Sequence, residues 1–382
     1  MENYIYLDHA ATTPMHPEVI DVMTEAMTSS YGNASSTHRI GRVSKGILEE
    51  ARAVLAASIN AASNEIVMTS GGTESDNMAI INTAVKYSSV GKHIITTNVE
   101  HAAVKEPLKQ LERNGFEVTV LPVNKEGSIT IQQVKEAIRE DTILVTVIYG
   151  NNEIGTLMPI TEIGEYLLTL DHKVVFHTDA VQAYGTEDIH VKDQHIDMLS
   201  VSSHKINGPK GLGFLYVSDE LSIPGLILGG QQENKRRAGT ENIPGIAGFK
   251  RAVEIRQANK PQLKKDYQKL KNRCIVLLEE SDLKFEVNGS VENSLPHILS
   301  VHIKGVEADK LLIHLDLAGV AVSIGSACSA GNVEPSHVLQ AIHSKAHPAI
   351  EETIRFSFGY GVTEADIEAA VQKLAKAVKF LA

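Results

Sequence analysis

At 382 residues the chain exceeds what one compact core usually serves, so two domains, or one large domain with a smaller partner, are expected. Hydrophobic content of 43%, charged content of 22% and 28 glycines describe a folded globular protein and exclude disordered and fibrous classes. With 36 Lys and Arg against 47 Asp and Glu the net charge is -11, which disfavours direct binding to nucleic acid or to an anionic membrane.

The N-terminal stretch MENYIYLDHAATTP lacks the basic start and apolar core of a secretory signal, and no apolar run approaches the roughly 20 residues that span a bilayer, so a cytoplasmic location is expected. From about residue 16 to about 220, β-rich runs follow one another: EIVMT (65–69), HIITT (93–97), FEVTVLPV (116–123), TILVTVIYG (142–150), VVFHTDA (174–180), IDMLSVSS (196–203) and FLYV (214–217). Stretches with apolar spacing near 3.6, such as TESDNMAIINTAVKY and TEIGEYLLTL, lie between most of them. This alternation predicts an α/β fold with a mostly parallel sheet covered by helices on both faces, and ligands in such folds bind at the carboxyl ends of the strands. GIAGFKRAVEIRQ reads as a connecting helix. Beyond about residue 255 a long polar helix (261–280), short strands ILSVHI and TIRFSFG and a last amphipathic helix from Thr363 predict a smaller α+β domain. The expected division is 16–255 for the large domain, with 1–15 and 256–382 forming the small one.

Three strand ends carry chemistry. EIVMTSGGTESDNMAI is a strand, a Gly-Gly turn and a helix starting near Thr73, whose hydroxyl can cap backbone N–H groups while Asp76 follows three residues later. A helix N-terminus behind a glycine turn suits an anion, although a plain capped turn has the same pattern. Neither a Walker A sequence nor G-x-G-x-x-G occurs. VVFHTDAVQAYG ends a strand on Asp179, with Gln182 three residues on, and Asp179 is either a helix cap or the partner of a cation. The strand IDMLSVSS delivers Ser202, Ser203, His204 and Lys205 at its own end. An amine, an acid and an anion site in one crevice match the needs of pyridoxal phosphate.

Two cysteines, Cys274 and Cys328, stand in unlike settings and suggest no disulfide framework. Cys274, in KNRCIVLLEE, reads as a buried small hydrophobe on a helix. Cys328, in SIGSACSAGN, reads as a thiol on a mobile loop of small residues.

Taken in order, YLDHAATTP, GNASSTHRIGR, TSGGTESDN, VEHAAV, NNEIG, HTDAVQAYG, SSHKINGPKGLG, RRAGTEN, SIGSACSAG, PSHVLQA and IRFSFG run nearly end to end along the chain. In this series the chain resembles the cysteine desulfurases of the NifS/IscS type, within the aminotransferase class V group of fold type I pyridoxal phosphate enzymes. The resemblance implies a large domain with a seven-stranded, mostly parallel sheet, a homodimer, and pyridoxal 5'-phosphate carried by Lys205. It implies that Asp179 pairs with the ring nitrogen, Gln182 bonds the ring hydroxyl and His101 stacks on the ring. Gly72, Thr73, Ser202 and His204 would hold the phosphate with Thr240 of a second subunit, and Asn152 and Arg355 would grip the substrate carboxylate. Cys328 would take sulfur from L-cysteine as a persulfide, leaving L-alanine, and pass it to an acceptor such as an iron-sulfur scaffold or a tRNA thiolation enzyme. Lys210 and its glycines would shape the lysine loop.

The chain departs from the family pattern at Ala34, where proline is common, and in AIHSKAHPAIEET, which lacks the usual glycine. His343 and His347 are four apart there, yet with no HExxH pattern and no third ligand they read as solvated, and no metal site is expected. Two other readings are an aminotransferase or lyase on the same fold, indifferent to Cys328, and a noncatalytic adaptor for a sulfur-trafficking partner. The joint presence of Lys205, Asp179, His101, Arg355 and Cys328 argues against the adaptor.

Overall fold

A computed structural model describes residues 4–324 and 335–381. Its strands in chain order are β1 (Ile5–Tyr6), β2 (Ile66–Thr69), β3 (His93–Thr97), β4 (Glu117–Leu121), β5 (Thr142–Thr146), β6 (Val175–Asp179), β7 (Met198–Ser202), β8 (Gly213–Val217), β9 (Phe285–Val287), β10 (Ile298–Ile303), β11 (Val320–Ala321) and β12 (Thr353–Ser357). The helices are α1 (Pro17–Ser29), α2 (Arg39–Ala57), α3 (Gly72–Tyr87), α4 (Ala102–Arg113), α5 (Ile131–Ala137), α6 (Ile160–Leu167), α7 (Ile243–Glu280), α8 (Ala308–Leu317), α9 (His337–Ile342) and α10 (Glu364–Leu381).

Seven strands form one sheet in the order β2-β8-β7-β6-β5-β3-β4. The pairs β3–β4, β3–β5, β5–β6 and β6–β7 are parallel, and β8 runs antiparallel to both its neighbours. Every strand but β4 is buried along its whole length, which is why these segments read as unbroken apolar and β-branched runs. The edge strand β4, EVTVL, is mostly exposed or half-buried and carries a charge, as an edge should. Alternate residues of each strand face opposite layers. Val175 packs with Ala79 and Ile80 of α3 on one side, while Phe176 joins Leu55 of α2, Ile163 of α6 and Phe249 of α7 on the other.

A three-stranded antiparallel sheet, β12-β10-β9, and the short parallel pair β1–β11 form the second structural layer. They pack on α8, α10 and the C-terminal half of α7 through a separate apolar cluster that includes Leu278, Leu299, Leu311, Phe356 and Leu374. Cys274 is fully buried there, and burial pushes its thiol up to about 12, so it behaves as an inert apolar side chain.

The structure corrects two expectations about helices. The connecting helix and the polar helix are one continuous α7 of 38 residues that runs through Pro261. Proline ends a helix in a sequence reading because it removes one hydrogen bond; here apolar contacts on both sides of it, Phe249 and Val253 before and Tyr267 and Leu270 after, hold the helix together. His343 and His347 do not share a helix face either, because α9 stops at Ile342 and His343 is extended. Nor are they solvated: both are half-buried, their rings stack at 4.4 Å, and the His343 Nε2 lies 2.9 Å from the Asn288 Oδ1.

Candidate active site

The site begins where β2 turns into α3. Gly71 adopts φ 148°, a conformation open to glycine, and serves as the N-cap of α3 with no side-chain cap on the first turn. The close pass of β8 demands the second small residue, since a Cβ on Gly213 would lie 2.7 Å from the Gly71 Cα and 2.4 Å from the Val201 carbonyl oxygen. The expected Thr73 cap is therefore corrected. Thr73 lies inside the helix and lines a cavity of about 260 Å³, and the unprotected N-terminus of α3 presents backbone donors to it.

From β6 and β7 come the other floor residues. Asp179 ends β6, almost fully buried, and its Oδ1 accepts from the Val181 N–H at 2.9 Å. Burial pushes this carboxyl up from its ordinary range, against the opposing pull of His101, the Val181 N–H and Lys205. Gln182 donates to the Ala10 carbonyl at 2.9 Å. At the end of β7, Ser202, His204 and Lys205 line the same cavity, whereas Lys210 is exposed on the turn beyond. Burial, helped by Lys205 and Lys210, pulls the His204 imidazole down to about 4.

A strap made by residues 8–16 fixes this lysine loop. The Lys205 Nζ donates to the carbonyls of Ala10 and Ala11 at 2.5 and 2.9 Å. Thr12 Oγ1 meets the His204 Nδ1 at 3.1 Å, and Thr13 Oγ1 donates to the His204 carbonyl at 2.7 Å while accepting from the Asn207 N–H at 2.8 Å. Asn207 holds φ 66°, and the buried Arg256 donates to its Oδ1 at 2.8 Å. The strap also reaches the second sheet. The guanidinium of Arg355, on β12 and 2% exposed, bonds Asp8 Oδ1 at 2.9 Å and the Asn152 carbonyl at 2.8 Å, and its buried Nε has no hydrogen-bond partner.

His101 is both the N-cap of α4, its Nδ1 accepting from the Ala103 N–H at 3.1 Å, and a wall of the cavity. Behind it Glu100 is fully buried, its Oε1 accepting from Thr97 Oγ1 at 2.6 Å and the Ile148 N–H at 3.0 Å, and burial pushes it up to about 8.

Gly72, Thr73, His101, Asn152, Asp179, Gln182, Ser202, His204, Lys205 and Arg355 all line this one cavity. Thr240 is exposed and is not part of it, although its loop is tied to α3 through Arg237 and Glu74 at 2.9 Å. Cys328 lies outside the described residues. Sequence reasoning missed the Ala10 and Ala11 carbonyls, Asp8, Glu100 and the buried Asp76, which lines the cavity and caps nothing. The motif YLDHAATTP was the available signal for the strap.

The aminotransferase class V model matches residues 5–370. The chain belongs to the aminotransferase class V family. As a member of it, the chain is similar to the putative cysteine desulfurase IscS 1 of Bacillus subtilis (strain 168), 51% identical over 377 residues that cover 99% of both chains. The cysteine desulfurase IscS of Dictyoglomus turgidum (strain DSM 6724 / Z-1310) is 43% identical, with 100% of this chain and 96% of that one covered. Among solved structures, a NifS-like protein superposes with a TM-score of 0.93 at 31% identity, covering 99% of this chain and all, 100%, of that one. SspA in complex with cysteine matches with a TM-score of 0.81 at 36% identity, covering 93% of this chain and 98% of that one.

Aminotransferase class V enzymes are pyridoxal phosphate enzymes, and the cavity fits that cofactor. It combines an amine, a buried carboxylate and a helix N-terminus that no side chain caps, which are the groups an aldehyde, a ring nitrogen and a phosphate require. Among the described residues no helix is long and apolar enough to cross a membrane.

Proposed function

We propose that the chain is a cysteine desulfurase that moves sulfur from L-cysteine to Cys328. The observation that carries this reading is the convergence of ten residues, from six separated stretches of sequence, on one cavity that holds the Lys205 amine. The full-length likeness to cysteine desulfurases of two bacteria supports the same substrate.

Pyridoxal 5'-phosphate would be held by Lys205, with Asp179 at the ring nitrogen, Gln182 at the ring hydroxyl and His101 on the ring face. Gly72, Thr73, Ser202 and His204 would take the phosphate, the helix N-terminus adding its dipole. When bound, the cofactor supplies a sink for the electron pair left at the substrate Cα. Arg355 and Asn152 orient the substrate carboxylate, and the Arg355 Nε, which lacks a partner among the described residues, is one donor available for it. The Lys205 amine takes the Cα proton on Nζ and later returns one. The Cys328 thiolate attacks the substrate sulfur, the carbon–sulfur bond breaks, and sulfur stays on Cys328 as a persulfide while the carbon skeleton takes up protons and leaves as L-alanine. His101 handles the proton of the substrate thiol.

The reading extends to a homodimer in which Thr240 completes the phosphate site of the partner, to a cytoplasmic enzyme, and to a protein acceptor, an iron-sulfur scaffold or a tRNA thiolation enzyme, that collects the sulfur. It divides the chain into a large domain, 16–255, and a small one, 1–15 with 256–382, meeting within α7.

The test is L-alanine release from L-cysteine with a reductant present, for the wild type and Cys328→Ala. Alanine from the wild type and almost none from the variant supports the proposal. Equal alanine from both removes Cys328 from the sulfur transfer, and alanine from neither, with the cofactor bound through Lys205, moves the activity to a lyase or transaminase reaction.

A further inference from the structure

Asp76 is a cavity carboxylate to which the proposed chemistry gives no task. It stands on the second turn of α3, 1% exposed, and its Oδ1 has no hydrogen-bond partner. Among the described residues its one ion-pair neighbour is the His177 imidazole, with Nε2 3.6 Å from Oδ1, beyond hydrogen-bond reach. Both ring nitrogens of His177 are engaged elsewhere, Nδ1 with Thr146 Oγ1 at 2.8 Å and Nε2 with Ser200 Oγ at 3.0 Å. His177 precedes Asp179 by two residues on the same face of β6, and Ser200 is the register partner of Asp179 on β7. Asp76, His177, Ser200 and Asp179 thus form one buried patch beneath α3, in which the Ser200 side chain also bonds Asp76 and the buried Glu100 adds a third carboxyl that repels it, and among the described residues no lysine or arginine is hydrogen-bonded to Asp76 or Asp179.

Two carboxylates that share a buried site cannot both ionise cheaply, and one of them keeps a proton. A ring nitrogen brings one positive charge, enough for one carboxylate. We propose that Asp76 is a positioning residue that works as the neutral acid of this pair, so that the cavity's single carboxylate charge at the ring nitrogen resides on Asp179. It rests on the reading of Asp179 given above. Direction agrees with geometry: burial first, then the charge of Asp179, pushes Asp76 well up, and burial pulls His177 down to about 3, leaving it neutral. The acid acts through Asp179. Were Asp76 ionised, its repulsion would shift the proton to Asp179 and remove the anion that keeps the ring nitrogen protonated.

The experiment uses holoenzyme and two readouts, infrared difference spectra in H2O and D2O and the pH titration of the visible absorption of the Lys205-linked cofactor. Asp76→Asn matches the neutral acid in shape and charge. The expected result is a deuterium-sensitive carboxylic acid carbonyl band in the wild type near neutral pH, absent from Asp76→Asn, with the absorption titration moved by less than about 0.3 unit. No such band, or a titration lowered by about one unit or more, as removal of a true negative charge would produce, overturns the proposal. Should Asp76→Asn not fold, carboxyl-13C aspartate in the wild type decides: a protonated signal persisting to about pH 8 supports the proposal and its absence overturns it. Asp179→Asn is the separate arm. If it leaves the titration and cofactor affinity unchanged, the reading of Asp179 fails whatever the state of Asp76.

Discussion

Arg355 and Glu100 show what burial does to a charged side chain when its partners differ. The Arg355 guanidinium is held by Asp8 and a backbone carbonyl, with the Nε donor among those left over, so in the proposed role a substrate carboxylate would meet a preset planar fork. Lysine keeps the charge and loses the fork. Arg355→Lys is expected to raise KM for L-cysteine by about ten- to a hundredfold, the cost of a charge-assisted hydrogen bond, with a smaller fall in kcat. Steady-state kinetics checks this, and an unchanged KM would move carboxylate recognition elsewhere. Glu100 has no cationic partner within reach among the described residues, and its folded value of about 8 stands above the ordinary 4.5. The folded state therefore holds a proton that the unfolded state has released between those values, and stability falls as pH rises across the window. Glu100→Gln removes that slope while keeping the oxygen that accepts from Thr97 and Ile148. Its unfolding free energy relative to wild type should climb steadily from about pH 5 to pH 8, by a few kcal/mol at most by linkage, read from urea unfolding at each pH. At this scale the sequence disclosed residues whose type is itself reactive, such as Lys205 and Asp179. It hid Glu100 and Asp76, because an acid beside a strand looks the same whether it caps a helix or is buried without a cation.

At the scale of elements, the turn that follows β8 is pinned from within the large sheet. Glu233 accepts two bonds from Arg52 at 2.7 Å each and one from the Met68 N–H at 2.9 Å, with its side chain 2% exposed. The pair ties α2, β2 and the RRAGTEN loop together. Glu233→Ala leaves the Arg52 charge buried and should destabilise the fold by about 3–5 kcal/mol, read from urea unfolding. Loss of under about 1 kcal/mol would mean that water relieves Arg52 on that side. Six of the seven strands were legible because burial on both faces writes an apolar, β-branched run into each, and the edge strand β4 was legible from its valines alone. Helix ends were less so. Thr73 looked like a cap since its hydroxyl type favours one, yet the tight approach of β8 required glycine at the turn and moved the helix start one residue earlier. The strap of residues 8–16 stayed invisible as structure because it holds Lys205 through the Ala10 and Ala11 carbonyls, which carry no side-chain signature.

For the molecule as a whole, the exposed Thr240 makes an intermolecular claim. The chain has a mass of 41.4 kDa, and sedimentation equilibrium should return twice that for the active species. Fully active monomer would remove Thr240 from the phosphate site. The second whole-molecule consequence comes from α7. Its N-terminal half is embedded in the core of the large sheet and its C-terminal half in that of the small one, so the sheet that leads to Lys205 and the sheet that carries Arg355 are joined by a rod. From Pro261 to the end of the helix the rod measures about 29 Å, at 1.5 Å per residue, and Pro261 is where it lacks an internal hydrogen bond. A bend of about 5° at that point would displace its far end by about 2.5 Å, roughly the difference between a formed and a broken hydrogen bond. The proline thus sets a mechanical gain: small flexures near the middle of one helix become ångström-scale shifts of the sheet that carries Arg355 against the sheet that leads to Lys205.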